Sequence, residues 1–387
     1  MTYYLLTGAS GLLGSYLLRD CLLAGHPVAV LVRPTETQSA RERIEASLAH
    51  WEERIGQVLP QPRVFEGDLC RPDLNLTATD LHWVAHHCHA VIHSAASLTF
   101  FGSDRQREPW LTNVEGTRRV LDLCGRCAIR QFHYVSTAYV CGLREGPVRE
   151  TELDLGQPMG NDYERRKLEA ERLVRSAALP QPPTLYRPSI IVGDSQTGYT
   201  SAFHGFYAMV KLAHTLASQV SLRSTTAKMV YRAFRLKGHE RKDYVPVDWV
   251  SAVITHLLGR PEHHGTTYHL TAAEPTPVAL WSRAIQDAIE GYSRLADPSD
   301  STRRNAKWFR EMFLKQSEVY RSYWRDDPQF DRAHTSAAAP HLPCPMVDYD
   351  MLLRMAQFAI CTNFGKRPQA PRPREGLLQT VVTPEGA

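Results

Sequence analysis

The sequence predicts a doubly wound parallel α/β sheet, and three observations carry that prediction. Strand-like and helix-like segments alternate through the first half of the chain. The strand runs are continuously apolar, the pattern of strands covered by helices on both faces. The first of them enters a glycine-spaced turn, Thr7-Gly8-Ala9-Ser10-Gly11-Leu12-Leu13-Gly14, followed by an apolar helical run. In such sheets ligands lie beyond the carboxyl ends of the strands.

In chain order, Tyr3–Thr7 is the first strand and the glycines after it do separate jobs. Gly8 allows the tight turn, Gly11 lets backbone approach phosphates, and Gly14 lets helix and strand pack closely. The helix opens on the third glycine and runs to Ala24, offering free amides and a positive dipole end to an anion. Strand Pro27–Val32 then leads through Arg33-Pro34 to a helix about Ser39–Ile55. Strand Arg63–Phe65, a helix near Asp80–His87 and strand Ala90–His93 follow. After them come a helix about Pro109–Cys127, strand Gln131–Val135, a helix about Asp162–Ala178 and strand Thr184–Tyr186.

Beyond Gly193 the alternation fades. Ser201–Gln219, Ser224–Leu236 and Pro277–Leu295 are helical in pattern, with short extended pieces at Tyr244–Val247 and Thr267–Thr271. Thr302–Tyr323, rich in Arg, Lys and aromatics, and Asp350–Ile360 are further helix candidates. The expected organisation is a nucleotide-binding domain over residues 1–200, with strand returns near 244–250 and 267–271, and a smaller, mostly helical substrate-binding subdomain over 201–364. The Pro-rich, polar stretch 365–387 reads as a flexible tail.

At 43% hydrophobic, 387 residues can bury a large core. The net charge of +4 comes from 45 basic and 41 acidic residues spread along the chain, so no nucleic-acid surface is implied. Arg19 and Asp20 break the first helix, and no uncharged apolar run reaches the roughly 18 residues of a membrane span. A core strand at the start leaves no room for a signal peptide, and eight cysteines lack a disulfide-scaffold spacing. The expected location is the cytoplasm.

At the end of the second strand an acidic side chain would bind a ribose 2′-hydroxyl and a basic one a 2′-phosphate. Arg33, with Arg41 and Arg43 on the next helix, favours NADP(H) over NAD(H), the alternative being a solvated Arg33. Tyr163 and Lys167, four apart, share a helical face. An ammonium near a phenol favours the phenolate, so Tyr163 could exchange a proton in carbonyl chemistry. Ser136 and Thr137 end the strand Gln131–Val135, where a hydroxyl can hold a substrate carbonyl beside a nicotinamide.

With these elements in order, the chain resembles an extended (atypical) short-chain dehydrogenase/reductase, and is similar in particular to the thioester-reductase and fatty-acyl-reductase branch, which shares the Rossmann-type fold of nucleotide-sugar epimerases. The matching residues run from Thr7 to about Ala252. They are the glycine turn, Arg33, Gly67-Asp68-Leu69, His93-Ser94-Ala95-Ala96, Asn113-Val114-Glu115-Gly116-Thr117, the stretch from Val135 to Val140, Tyr163 with Lys167, the stretch from Tyr186 to Asp194, and Val245-Pro246-Val247-Asp248.

The resemblance implies Thr137 as catalytic hydroxyl with Ser136 as its fallback, and Tyr163 as proton donor. Lys167 would lower the Tyr163 pKa and bind the nicotinamide ribose. It implies a cofactor cradle from Thr7, Gly8, Ser10, Gly11, Leu12, Leu13 and Gly14, with Arg33 and Arg43 at the ribose phosphate. Asp68 and Leu69 would flank the adenine, Ser94, Ala95 and Ala96 would form a wall with Asn113 nearby, and Arg187-Pro188-Ser189 would pass beside the nicotinamide. Two features depart from the family: Arg166 stands where Ser is common, and the segment from about Gly291, including Tyr320 to Asp327, is not placed by the resemblance.

The implied activity is NADP(H)-dependent hydride transfer to a carbonyl of an acyl or peptidyl thioester, or of a derived aldehyde or ketone, in lipid or secondary metabolism. The partner would be a small-molecule or carrier-bound acyl substrate, and a homodimer is compatible with the resemblance. Two alternatives stay open: a nucleotide-sugar epimerase or dehydratase that retains its cofactor, and a non-catalytic dinucleotide-sensing protein. His82, His86, His87, Cys88 and His89 crowd one segment, but no second ligand cluster follows at structural-zinc spacing, so no metal is expected. Cys124 and Cys127 have redox spacing without the thioredoxin pattern, which favours packing or exposure. The run Lys307–Lys315 reads as core packing with snorkelling charges, an acyl-tunnel lid being the alternative.

Overall fold

The computed structural model describes residues 2–217, 236–293, 323 and 325–366. Apart from Leu236 and Tyr323, the helices expected at Ser224–Leu236 and Thr302–Tyr323 lie outside the described residues, as do the run Lys307–Lys315 and the tail from 367. Two compact units form, neither from one continuous stretch. The first joins the residues up to Ser189 to Val247–Thr271 and Pro328–Cys344; the second joins Ile190–Pro246 to Ala272–Asp327 and to the residues from Pro345.

The first unit is built on seven parallel strands: β1 (Tyr3–Thr7), β2 (Val28–Val32), β3 (Arg63–Glu66), β4 (Cys88–His93), β5 (Gln131–Val135), Thr184–Pro188 and Thr267–Leu270. From one edge their order is Thr267–Leu270, Thr184–Pro188, β5, β4, β1, β2, β3. The chain winds outward from β1 to β3, then restarts on the other side of β1 with β4. That reversal opens a crevice at the carboxyl ends of β1 and β4, where ligands of doubly wound sheets bind. Every residue of β2 is buried, as is all of Thr184–Pro188, because helices cover the strands.

The covering helices include α1 (Leu12–Leu23), α2 (Ala40–Ile55), α3 (Ala78–His87), α4 (Thr117–Arg126) and α5 (Asp162–Ser176). Side-chain caps fix three of their starts. Ser39 and Thr77 form reciprocal capping boxes with Glu42 and Asp80, and Asn161 caps α5 by accepting from the Glu164 amide. Helix α1 begins at Leu12, with Gly11 as its N-cap, so it opens after the second glycine and not on the third. The helix expected about Pro109–Cys127 is a π-helix over Leu111–Gly116 that passes directly into α4.

Of the two expected strand returns, Thr267–Leu270 lies against Thr184–Pro188 in the main sheet. The other differs. Tyr244–Pro246 pairs with Ile190–Val192 in the second unit, and Val247–Leu258 is a helix packed on α1. Its β-branched residues suggest a strand, yet Val247, Val250, Ile254, Leu257 and Leu258 are buried at three- and four-residue spacing, so burial of a helical face overrides propensity. The segment Pro328–Cys344, expected in the substrate subdomain, belongs to the first unit, where Gln329–Phe330 pairs with Pro147–Val148.

In the second unit, helices Phe206–Ala217, Val278–Ser293 and Tyr349–Cys361 pack around a core that includes Val210, Trp281, Ile285, Leu352 and Met355. A buried ion pair, Lys242 to Asp327 at 2.5 Å, ties the strand Arg241–Lys242 to the end of the Tyr320–Asp327 run.

Candidate active site

The crevice is walled by glycine. Gly8 has φ +79°, and a Cβ there would stand 2.7 Å from the Ala95 amide nitrogen, so only glycine lets the β1 turn lie against the strand end of β4. A Cβ on Gly14 would overlap the Gly8 carbonyl, which fixes the close approach of α1 to the turn. The α1 N-terminus has no side-chain cap and no acidic residue in its first turn. Its amides from Leu12 to Gly14 therefore lack intrahelical partners, with Ser10 and Gly11 exposed beside them and Leu13 turned into the core. Such a turn can hold an anion.

At the end of β2, Arg43 Nη1 donates to the Arg33 carbonyl at 2.5 Å. Partial burial and the neighbouring Arg33 charge push the Arg43 pKa down. Among the described residues neither guanidinium has a carboxylate partner, whereas Arg41 faces Glu45 at 3.8 Å. The Asp68 carboxylate accepts from the Cys70 amide at 2.9 Å, and the Leu69 carbonyl from Arg119 at 3.0 Å. Ser94 and Ala95 are half-buried and Ala96 is exposed.

The hydroxyl, phenol and ammonium come from β5 and α5. Lys167, 1% exposed, donates to the Val135 carbonyl at 2.7 Å and to the Tyr134 phenol oxygen at 2.9 Å. Burial lowers its pKa to about 7, with the Glu171 carboxylate opposing the fall. Tyr163, one turn earlier on α5, packs its ring 5.8 Å from Phe100. Burial, and secondly the Glu164 charge, push its phenol pKa up, so it is held protonated. Lys167 is not among the causes of that shift; its bonds go to β5. Thr137 is buried, and among the described residues its Oγ1 makes only long contacts, to the Pro188 carbonyl at 3.4 Å and from the Tyr139 amide at 3.3 Å.

Four side chains expected near a ligand are consumed by the fold. Ser136 Oγ donates to Glu171 at 2.6 Å. Arg187, fully buried, donates to Glu171 at 2.6 Å, to the Glu152 carbonyl at 2.8 Å and to His269 at 3.3 Å, so its guanidinium is engaged within the fold. The Ser189 amide itself bonds the Leu270 carbonyl at 3.1 Å. The Asn113 amide donates to the Ser97 carbonyl at 3.0 Å and accepts from the Ser97 nitrogen at 2.7 Å, pinning the loop after β4. Thr7 likewise turns inward, its hydroxyl bonded to His93 at 2.7 Å.

Glu171 and Tyr134 escaped the sequence reading. Glu171 lies four residues after Lys167 on the same helical face, and Tyr134 two residues before Ser136 on the same strand, so both carried a spacing signal. In the histidine-rich segment, His86 and His87 bond the carbonyls of His82 and Trp83, and the His87 ring stacks on Trp83. Cys124 and Cys127 are buried free thiols whose pKa values burial raises.

The sequence profile of the male sterility protein family matches residues 6–254, nearly two-thirds of the chain. A nonribosomal peptide synthetase of Aspergillus flavus, asaC, is 28% identical over 288 residues, which is 70% of this chain and 26% of that protein. An aldehyde reductase of the same organism, lnaA, is 26% identical over 408 aligned residues, 95% of this chain and 37% of that protein. The chain thus spans about a quarter to two-fifths of the length of these relatives. Among solved structures, the terminal R domain from the myxalamid PKS-NRPS biosynthetic pathway superposes with a TM-score of 0.72 at 25% identity, covering 95% of this chain and 93% of that one. On the profile match, the strand order and the glycine turn together, the chain belongs to the male sterility protein family, among the NAD(P)-dependent oxidoreductases of the extended short-chain dehydrogenase/reductase type.

Proposed function

We propose that this protein uses NADPH to reduce the carbonyl of a carrier-bound acyl or peptidyl thioester, or of the aldehyde or ketone derived from it, in secondary metabolism. The observation that carries the reading is the Lys167 ammonium 2.7 Å from the Val135 carbonyl, at the end of the strand that leads into Thr137 and one helical turn from Tyr163. The reductase and peptide-synthetase relatives support the substrate class.

The crevice fits a dinucleotide by its own chemistry: a cradle that any Cβ at Gly8 or Gly14 would fill, α1 N-terminal amides without intrahelical partners, and two guanidiniums at the end of β2 that have no carboxylate partner among the described residues. The pyrophosphate would rest on Ser10 to Gly14, and Arg33 with Arg43 would hold the 2′-phosphate that distinguishes NADPH. Bound there, the dihydronicotinamide supplies the hydride.

The protein's own part is orientation and proton supply. The loosely bonded Thr137 hydroxyl is available to donate to a substrate carbonyl oxygen. The Tyr163 phenol, protonated at neutral pH, can give its proton to the oxygen as negative charge develops there. Lys167, with two of its three N–H groups fixed on β5, has one left for a ribose hydroxyl.

The test is anaerobic incubation with NADPH or NADH against a panel of acyl-CoA thioesters, aldehydes and UDP-sugars, read by mass spectrometry. Stoichiometric NADPH oxidation with reduction of a thioester or aldehyde, abolished in Tyr163→Phe, is the expected result. Conversion of a sugar nucleotide without net NADPH oxidation, or full turnover by Tyr163→Phe, would overturn it.

A further inference from the structure

Tyr134 is buried to 1% exposure on β5, its ring under the Lys167 ammonium at 4.4 Å and its phenol oxygen 2.9 Å from Nζ. The His93 ring lies 5.7 Å from the Tyr134 ring, and the hydrogen bonds around His93 have one consistent direction. The Thr117 hydroxyl gives its single proton to the Asn113 carbonyl at 2.7 Å. The His93 Nε2, 3.0 Å from the same oxygen, must therefore be the donor. In a neutral ring that leaves Nδ1 bare, to accept from the Thr7 hydroxyl at 2.7 Å, while Thr7 accepts from the Ala95 amide at 3.3 Å. Burial, and secondly the Lys167 charge, keep His93 neutral, lowering its pKa to about 3. The Tyr134 phenol oxygen accepts from Lys167, and the neutral His93 beside it adds no second positive charge.

We infer that Tyr134 is a positioning residue for Lys167: its phenol oxygen, held on β5 2.9 Å from Nζ, is a fixed acceptor that favours the ammonium over the neutral amine. The inference rests on the proposed Tyr163 and Lys167 site. Two acceptors, the Val135 carbonyl and the Tyr134 oxygen, receive two N–H groups whichever form Lys167 takes. The ammonium then presents a third N–H to a ligand, whereas the neutral amine presents a lone pair. Protonation of one buried nitrogen thus decides whether the site offers a ribose hydroxyl a donor. The other titratable groups near Lys167 are Glu171 and Tyr163 on its own helix, Glu171 being paired with Arg187 and Arg175, and His93 on β4.

The test is NADPH binding to the full chain from pH 5.5 to 9 by quenching of protein fluorescence, with the pH profile of kcat/KM alongside. In the wild type, affinity falls as pH rises through the Lys167 titration, and Lys167→Met removes that limb. Tyr134→Phe keeps the ring and loses the acceptor, so its limb moves down by about one pH unit while affinity at pH 5.5 is kept. Tyr134→Met, which keeps an apolar side chain there and also removes the phenol oxygen, shifts the limb in the same direction and stands in if Tyr134→Phe does not fold. An unmoved limb in the folded variant overturns the inference. If Tyr163→Phe abolishes turnover while Tyr134→Phe leaves the limb in place, this inference alone fails; if Tyr163→Phe turns over normally, the site reading itself fails.

Discussion

Glu171→Gln tests the buried ion pair behind β5. The two oxygens of Glu171 accept from Ser136 at 2.6 Å, from Arg175 at 3.0 and 2.9 Å, and from Arg187 at 2.6 and 3.1 Å. Glutamine has the same shape, but it turns one acceptor into a donor facing donors and removes the counter-charge of an arginine that is 0% exposed. Breaking a buried pair from one side costs about 3–5 kcal/mol. Arg187 keeps the Glu150 and Glu152 carbonyls and His269, which argues for the lower end, about 3 kcal/mol. At about 2–4 °C per kcal/mol for a domain of this size, Tm falls by about 6–12 °C. Thermal unfolding followed by circular dichroism at pH 7 measures it, and the double variant Glu171→Leu with Arg187→Met should recover much of the loss. A Glu171→Gln protein melting within about 2 °C of wild type would refute the assignment of a stabilising role to this pair.

Three more outcomes are expected. Thr137→Val should lower kcat/KM by about 10²–10³-fold through loss of a carbonyl donor, whereas Ser136→Ala should lower Tm and leave kcat near wild type; steady-state kinetics beside a melt separates them, and the reverse pattern would exchange the roles. Arg33→Ala should weaken NADPH by about 10–100-fold with little change for NADH, measured by calorimetric titration; equal losses for both would remove the 2′-phosphate assignment. His93 and His269 are held neutral by burial, with pKa values lowered to about 3 and about 4. Both are depressed below the unfolded value of about 6.5, so their contribution is complete above that pH and is lost as pH falls toward the folded values, by up to about 1.4 kcal/mol per pH unit for each. Urea midpoints at pH 7 and pH 5 should show the drop, and equal midpoints would contradict it.

Local pattern made the sheet legible from β1 to Thr184–Pro188, because apolar runs and helical spacing there agree with the tertiary burial. It misled at 247–250, expected in a strand return, which instead open a helix whose face is recognisable only once α1 is packed against it. The site was legible as residue types at spacings: Thr137, Tyr163 and Lys167 lie on two elements joined at the end of β5. Which hydroxyl is free was not legible, because Ser136 and Thr137 differ only in a carboxylate 35 positions away. The same holds for Asn113 and Arg187, whose partners are a loop backbone and a buried acid that no neighbour in the sequence announces.

The interleaving of the two units bears on how the chain can be synthesised and handled. Glu150 is fully buried, and its carboxylate accepts from the amides of His269 and His334 and from the Thr335 hydroxyl, partners that leave the ribosome more than a hundred residues after it. The nucleotide crevice, by contrast, draws its glycine turn and strand ends from residues translated first. Vectorial folding of the first unit must therefore wait with an acid unmatched until the segment Pro328–Cys344 arrives, after the second unit's Ile190–Pro246 and the stretch 272–327 have already been made. Splicing the crevice into another protein by cutting at Ser189 would leave that acid stranded, so the smallest transplantable piece extends through Cys344.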